Sequence, residues 1–133
     1  MYFEGDDDEP ASWSVDVGFS EGNYKGEKIK PSFCVNPIET RKRSAAELAG
    51  EGFSVASIKE AMEREDSFYI YEHEPLVEYE LSVVEIKYGM AHIKCKGTIV
   101  EDGYAKPYTT EKFEMDCRVP VITSVDDWKK FGL

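Results

Sequence analysis

Residues 76–100 read LVEYELSVVEIKYGMAHIKCKGTIV. Val77, Tyr79, Leu81 and Val83 alternate with Glu78, Glu80 and Ser82, the period of two that a strand with one buried face requires. Val84, Ile86 and Tyr88 continue on the opposite parity, which predicts a β-bulge near Val83 and Val84. Gly89-Met90 then has glycine first, as a type II′ turn prefers, and predicts a tight hairpin pairing Tyr88 with Ala91. The next apolar alternations lie at 91–101 (AHIKCKGTIVE) and 108–123 (YTTEKFEMDCRVPVIT). The connection around Glu101, Asp102 and Gly103 is too short for a crossover helix, so the three strands form an antiparallel meander.

Upstream of this block, Trp13, Val15, Val17 and Phe19 alternate with small or polar residues and predict a half-buried strand. Gly22, Asn23 and Gly26 mark a turn. Ile29, Phe33 and Val35 continue in a second strand, placed at an edge or bulged because Pro31 cannot donate to a ladder. Ala, Glu, Lys and Arg dominate after Asn36-Pro37, where a short helical turn is expected at 44–49. Ser54 as N-cap predicts an amphipathic helix over 54–64, with Val55, Ile58, Ala61 and Met62 on the buried face. SFYIYEHE, residues 67–74, reads as a further strand. At the end, Ser124 and Asp127 have capping-box spacing, Val125 and Trp128 share a face, and Gly132 follows as a stop. The expected fold is one α+β domain over 1–133. It comprises a twisted antiparallel sheet of five to seven strands, the main helix across one face, and a short C-terminal helix. Residues 1–10 are expected to form a flexible acidic segment.

With 41% apolar and 13% aromatic residues in 133, the chain has enough apolar surface for one core. No apolar run approaches the ~20 residues that a bilayer-crossing helix needs, and no basic region followed by an apolar run opens the chain. The expected location is the cytoplasm. Cys34, Cys95 and Cys117 are odd in number, widely spaced and set in apolar strand patterns, so they are expected as free, buried thiols.

Formal net charge is −11, which disfavours nucleic acid and anionic membranes as partners. Up to Glu27 there are eight acids against Lys25 alone, and from Glu60 to Glu85 nine against Arg64 alone. Asp6, Asp7, Asp8 and Glu9 lack the alternating oxygens and glycine turn of a calcium loop. No nucleophile elbow, phosphate loop or C-x-x-C occurs, so no catalytic residue, metal ligand or cofactor is assigned. In a strand, Glu72 and Glu74 face away from His73, and His92 away from Cys95, which removes both pairs as dyads. Tyr69 and Tyr71, set beside Glu72, Glu74, Glu78 and Glu80, combine aromatic area with negative charge. Together with Asp6, Asp7, Asp8 and Glu9 they are the candidate surface for a basic protein partner.

In size, acidity and lack of motifs the chain resembles the small immunity proteins with which bacteria neutralise polymorphic or contact-dependent toxins. That resemblance implies a cytoplasmic inhibitor, not an enzyme, that occludes the basic active site of a nuclease-like toxin domain. A structural subunit of a phage or secretion assembly is the other reading, and a small-ligand carrier or motif-poor enzyme the third.

Overall fold

The structure, a computed structural model, describes residues 1–6 and 9–130. Its elements are β1 (Tyr2–Asp6), β2 (Glu9–Gly18), β3 (Gly22–Tyr24), β4 (Glu27–Ile29), β5 (Ser32–Thr40), a 3-10 turn (Ala45–Leu48), β6 (Gly52–Val55), α1 (Ile58–Arg64), β7 (Ser67–Tyr69), β8 (His73–Lys87), β9 (Met90–Asp102), β10 (Thr109–Pro120) and α2 (Val125–Lys130). Eight strands form one antiparallel sheet in the order β1-β2-β5-β7-β8-β9-β10, with β6 also paired to β8, and β3-β4 stand apart as a hairpin. The α+β class and the β8-β9-β10 meander are as expected. The sheet is larger than the five to seven strands expected, because β1 and β6 come from segments read as a free acidic end and as helix.

The N-terminal segment is corrected accordingly. Tyr2 and Phe3 pair with Ser14 and Trp13, and Asp6 with Glu9. Met1 and Phe3 are buried in the core. Asp7 and Asp8 lie outside the described residues. The sheet also curls until its ends meet: Phe3 N–H donates to Ile122 O at 2.9 Å and Ile122 N–H to Met1 O at 2.8 Å. The Met1 ammonium donates to Pro120 O at 2.9 Å, and burial lowers its pKa to about 6.

The interior is filled by the inward residues of the long strands, among them Val15, Phe33, Val35, Leu76, Tyr79, Leu81 and Ile93. Each such side chain contributes about 1.5–3 kcal/mol. The register shift between Val83 and Glu85 is the bulge that the parity switch predicts. A second shift, between Leu76 and Glu78, brings Leu76 inward and was not foreseen. The turn is displaced by one residue: Lys87 pairs with Met90, and the loop is Tyr88-Gly89. Both loop residues have positive φ, 54° and 74°, as a type I′ turn requires. Strand β5 is central, between β2 and β7. Its irregularity falls at Asn36-Pro37, where the register with β2 shifts, and not at Pro31.

The main helix starts later than expected. Val55 is extended and buried in β6. Ser57 is the N-cap, its Oγ accepting from Glu60 N–H at 3.3 Å. Met62 is consequently exposed and Ala61 is the buried contact. Glu65 ends the helix in the left-handed region at φ 60°, and Asp66 turns inward. There the Asp66 carboxylate accepts from Asn36 N–H at 2.8 Å, Arg64 Nε at 2.8 Å and Tyr79 Oη at 2.5 Å. The network fastens α1 to the β5 bulge and to β8. At the C-terminus, Asp127 Oδ2 accepts from Thr123 N–H at 2.8 Å and Thr123 Oγ1 at 2.9 Å, and these bonds, with a further backbone hydrogen bond from Ser124, hold the Asp127 carboxyl below its usual range, so Thr123 joins Ser124 in the cap. The expected pairing of Val125 with Trp128 and the stop at Gly132 lie outside the described side chains and residues.

All three cysteines are free, but only Cys95 is buried; Cys34 and Cys117 are half-buried. Burial, reinforced by Glu78, pushes the Cys95 thiol up to about 12. A thiol reagent applied to the native protein at neutral pH is therefore expected to modify Cys34 and Cys117 and to leave Cys95 unlabelled until denaturant is added. Native labelling of Cys95 at the rate of the other two would contradict this packing.

Candidate functional site

The structure divides the candidate surface into three places. Asp6 and Glu9 flank the β1–β2 connection, at the end of β2 that pairs with Thr40. Tyr69 and Tyr71 lie beside the other end of β2, because Gly18 pairs with Ser32 and Ser32 with Tyr69. A ten-residue strand separates them, about 30 Å at ~3.3 Å per residue. The backbone of Asp6 and Glu9 therefore lies at the opposite end of β2 from Tyr69.

Glu78 and Glu80 occupy the outer face of β8, where acids and bases alternate across strands. Glu78 Oε1 accepts from Thr98 Oγ1 at 2.7 Å and lies 3.5 Å from Lys112 Nζ. Glu80 lies 3.5 Å from Lys96, and Asp116 is 2.5 Å from His92 Nε2 and 3.8 Å from Lys94. A trough of 560 Å³ runs over this ladder, lined by Glu80, Ser82, Lys94, Lys96, Glu114 and Asp116 among others. Apart from Glu114 its charges are paired across the strands, which leaves little unmet potential for a ligand. His73, at the start of β8, pairs with Tyr69, whereas His92 pairs with Glu85 near the end of β8, so the two histidines do not share a site. Among the described residues no three His, Cys, Asp or Glu gather as a metal cluster.

The third place is different in kind. At the end of the barrel where β7 turns into β8 and β9 into β10, Tyr71, Tyr104 and Tyr108 are 39%, 75% and 47% exposed. The Tyr71 ring lies 6.3 Å from that of Tyr24. Glu72 Oε1 accepts from Tyr104 Oη at 2.6 Å, and Asp102 Oδ1 accepts from Tyr104 N–H at 2.9 Å. The Glu74 carboxylate packs against Gly103, where a Cβ would stand 2.4 Å from Oε1. Partial burial raises the pKa of Glu74, with Glu72 and Asp102 adding to the effect. Burial and the neighbouring Glu27 and Glu101 raise that of the Tyr71 hydroxyl. Glu72, Glu74 and Asp102 make no ion pair among the described residues. Tyr69 stands apart, half-buried with its ring 4.9 Å from His73. Tyr24, Tyr104, Tyr108, Glu27 and Asp102 were missed at the sequence level. The one signal for them was the recurrence of acid beside tyrosine in the Asp102-Gly103-Tyr104 turn.

The β3-β4 hairpin caps this end of the barrel. Lys25 Nζ lies 2.8 Å from Glu101 and 3.4 Å from Glu111, and Tyr24 Oη donates to Glu101. Burial and that hydrogen bond raise the Tyr24 hydroxyl to about 12, while Lys25 and Tyr24 hold the Glu101 carboxyl below its usual range. A depressed carboxylate pKa means that the clasp is intact at neutral pH and is lost as pH falls through the lowered value. Glu101→Gln is expected to speed amide exchange across residues 22–29 by about tenfold, equivalent to ~1.4 kcal/mol of local opening. Unchanged exchange there would show that packing alone holds the hairpin down. No helix among the described residues is long and apolar enough to cross a membrane. Comparison with protein-family models, with curated proteins and with solved structures finds no match to this chain.

Proposed function

We propose that the chain is an acidic protein-binding module that inhibits a basic partner, in the manner of an immunity protein occluding a nuclease-like toxin. The observation that carries this reading is the cluster of Glu72, Glu74 and Asp102. These carboxylates have no cations of their own and are set among the exposed rings of Tyr71, Tyr104 and Tyr108. Carboxylates already matched by lysines gain little from a basic partner. Carboxylates left uncompensated beside aromatic anchors gain attraction, cation–π contacts and buried area together.

Affinity capture with the full chain, followed by measurement of the captured protein's activity, tests the reading. A basic partner whose activity is inhibited stoichiometrically is expected. Tyr71→Ala combined with Glu72→Gln and Glu74→Gln is expected to raise Kd at least a hundredfold. Glu78→Gln with Glu80→Gln should change it less than threefold. Equal losses from both sets, or a partner that is not basic, would overturn the assignment of this corner.

A further inference from the structure

We infer that the β3-β4 hairpin is a hinged strap across the tyrosine corner, with Lys25 as its catch, and that a lysine side chain of the partner opens it by replacing Lys25 on Glu101. The inference rests on the reading of that corner as the partner's binding site and adds how access to the site is controlled.

The hairpin is built to move as a unit. Its two strands pair with each other and stand apart from the main sheet. At its root Phe19 N–H donates to Pro31 O at 2.9 Å, next to the Gly18–Ser32 pair that ends the β2–β5 ladder. Between these residues, no backbone hydrogen bond ties segment 20–30 to the rest of the described chain. Within the segment Tyr24 and Ile29 are half-buried and every other residue is exposed. Segments with so little burial are the first to open.

What fastens the hairpin is concentrated at its tip. Lys25 Nζ lies 2.8 Å from Glu101 and 3.4 Å from Glu111, Tyr24 Oη donates to Glu101, and the Tyr24 ring lies 6.3 Å from that of Tyr71. Lys25 and Gly26 have positive φ, 48° and 83°, as a type I′ turn requires. A residue with a long side chain is disfavoured at the first of these positions, and backbone outliers of this kind gather at clamps and switches. The closed strap also shows which cation fits, because Glu101 and Glu111 already hold a primary ammonium.

Exposure makes this catch one that a competitor can release. The Lys25 side chain is 55% exposed and that of Glu101 13%. Water and salt reach the lysine and weaken its hold, while the strap shields the carboxylate. When the strap lifts, Glu101 joins its chain neighbour Asp102 and the nearby Glu72 and Glu74, and the Tyr71 ring loses its cover. The partner's ammonium then gains a further carboxylate and another aromatic face.

The probe is acetyl-tetralysine amide, titrated into the isotopically labelled full chain and followed by amide chemical shifts and hydrogen exchange. Shifts centred on Tyr71, Glu72 and Tyr104 are expected, with exchange across residues 22–29 at least fivefold faster when the peptide is bound. Lys25→Gln removes the catch but keeps Tyr24, so it should bind the peptide at least threefold more tightly and exchange residues 22–29 fast without it. Lys28→Gln makes the same change of net charge at an exposed neighbour and should behave as wild type. The same peptide with every lysine acetylated should leave both readouts unchanged. Shifts at the corner with unchanged or slower exchange at 22–29 would overturn the strap and leave the corner as the binding site. So would Lys25→Gln binding no more tightly than Lys28→Gln, or an equal effect of the acetylated peptide. Shifts that avoid the corner in both wild type and Lys25→Gln would overturn the strap and the corner together.

Discussion

Replacing Asp66 by alanine is expected to destabilise the protein by about 3–5 kcal/mol, the range found when one partner of a buried charged network is removed. Asp66 is 1% exposed, and its carboxylate accepts from Arg64, Tyr79 and Asn36 at once. Alanine leaves a buried tyrosine hydroxyl and a backbone N–H without an acceptor, and leaves the Arg64 guanidinium without its counter-charge. Asparagine preserves the shape and one acceptor, so Asp66→Asn should cost less, about 1–3 kcal/mol. Urea unfolding at pH 7 measures both. A loss under about 1 kcal/mol for the alanine variant would show that the network is decoration on a core that apolar contacts already hold.

Gly97→Ala is expected to be of similar severity, about 3 kcal/mol or more. Overpacked cores lose ~1–3 kcal/mol even where side chains can move aside, and here the obstacle is backbone. A Cβ at residue 97 would stand 2.2 Å from the Glu78 carbonyl oxygen and 2.8 Å from Tyr79 Cα. The adjoining bulge between Leu76 and Glu78 lies on the strand that makes this contact. Gly18→Ala is the matched control, since nothing lies within 4 Å of its Cβ position. Its effect should stay within about 0.5 kcal/mol. If both variants melt together with wild type, β8 and β9 are less closely apposed than the structure shows.

Alternation made the meander legible, and the change of parity at Val83-Val84 exposed one bulge because an apolar residue stood on each side of it. The bulge at Leu76 left no such trace: Val77 is apolar too, so the step from Leu76 to Tyr79 reads as unbroken alternation from Val77. The helix start was misplaced because two serines compete. Only Ser57 has glutamate three residues on, and that spacing outweighs the apolar look of Val55, which is β-branched and pairs in a strand. Tyr88 in a left-handed turn contradicts ordinary steric preference, so the glycine-first reading placed the loop one residue late. In the corner, Tyr71, Glu72 and Glu74 were visible as neighbours in the chain. Tyr24 and Tyr104 join them only through the hairpin cap and the β9–β10 turn, and no local pattern encodes that. The acidic run at Asp6 obscured a strand because the apolar signal there is only Met1, just before β1, and Phe3 within it, and the strand's second neighbour is at Ile122.

That seam orders the events of synthesis. The hydrogen bonds joining Met1 and Phe3 to Ile122 cannot form until residue 122 has left the ribosome, which at about 5–20 residues per second is on the order of ten seconds after the first residues were joined. During that interval the β1–β2 hairpin has one edge unclosed and its two inward apolar side chains uncovered. Contacts of such separation make folding slow for a chain this size. Until residue 122 emerges, that hairpin is therefore open to other chains, and the closing of the barrel is the step that ends its exposure.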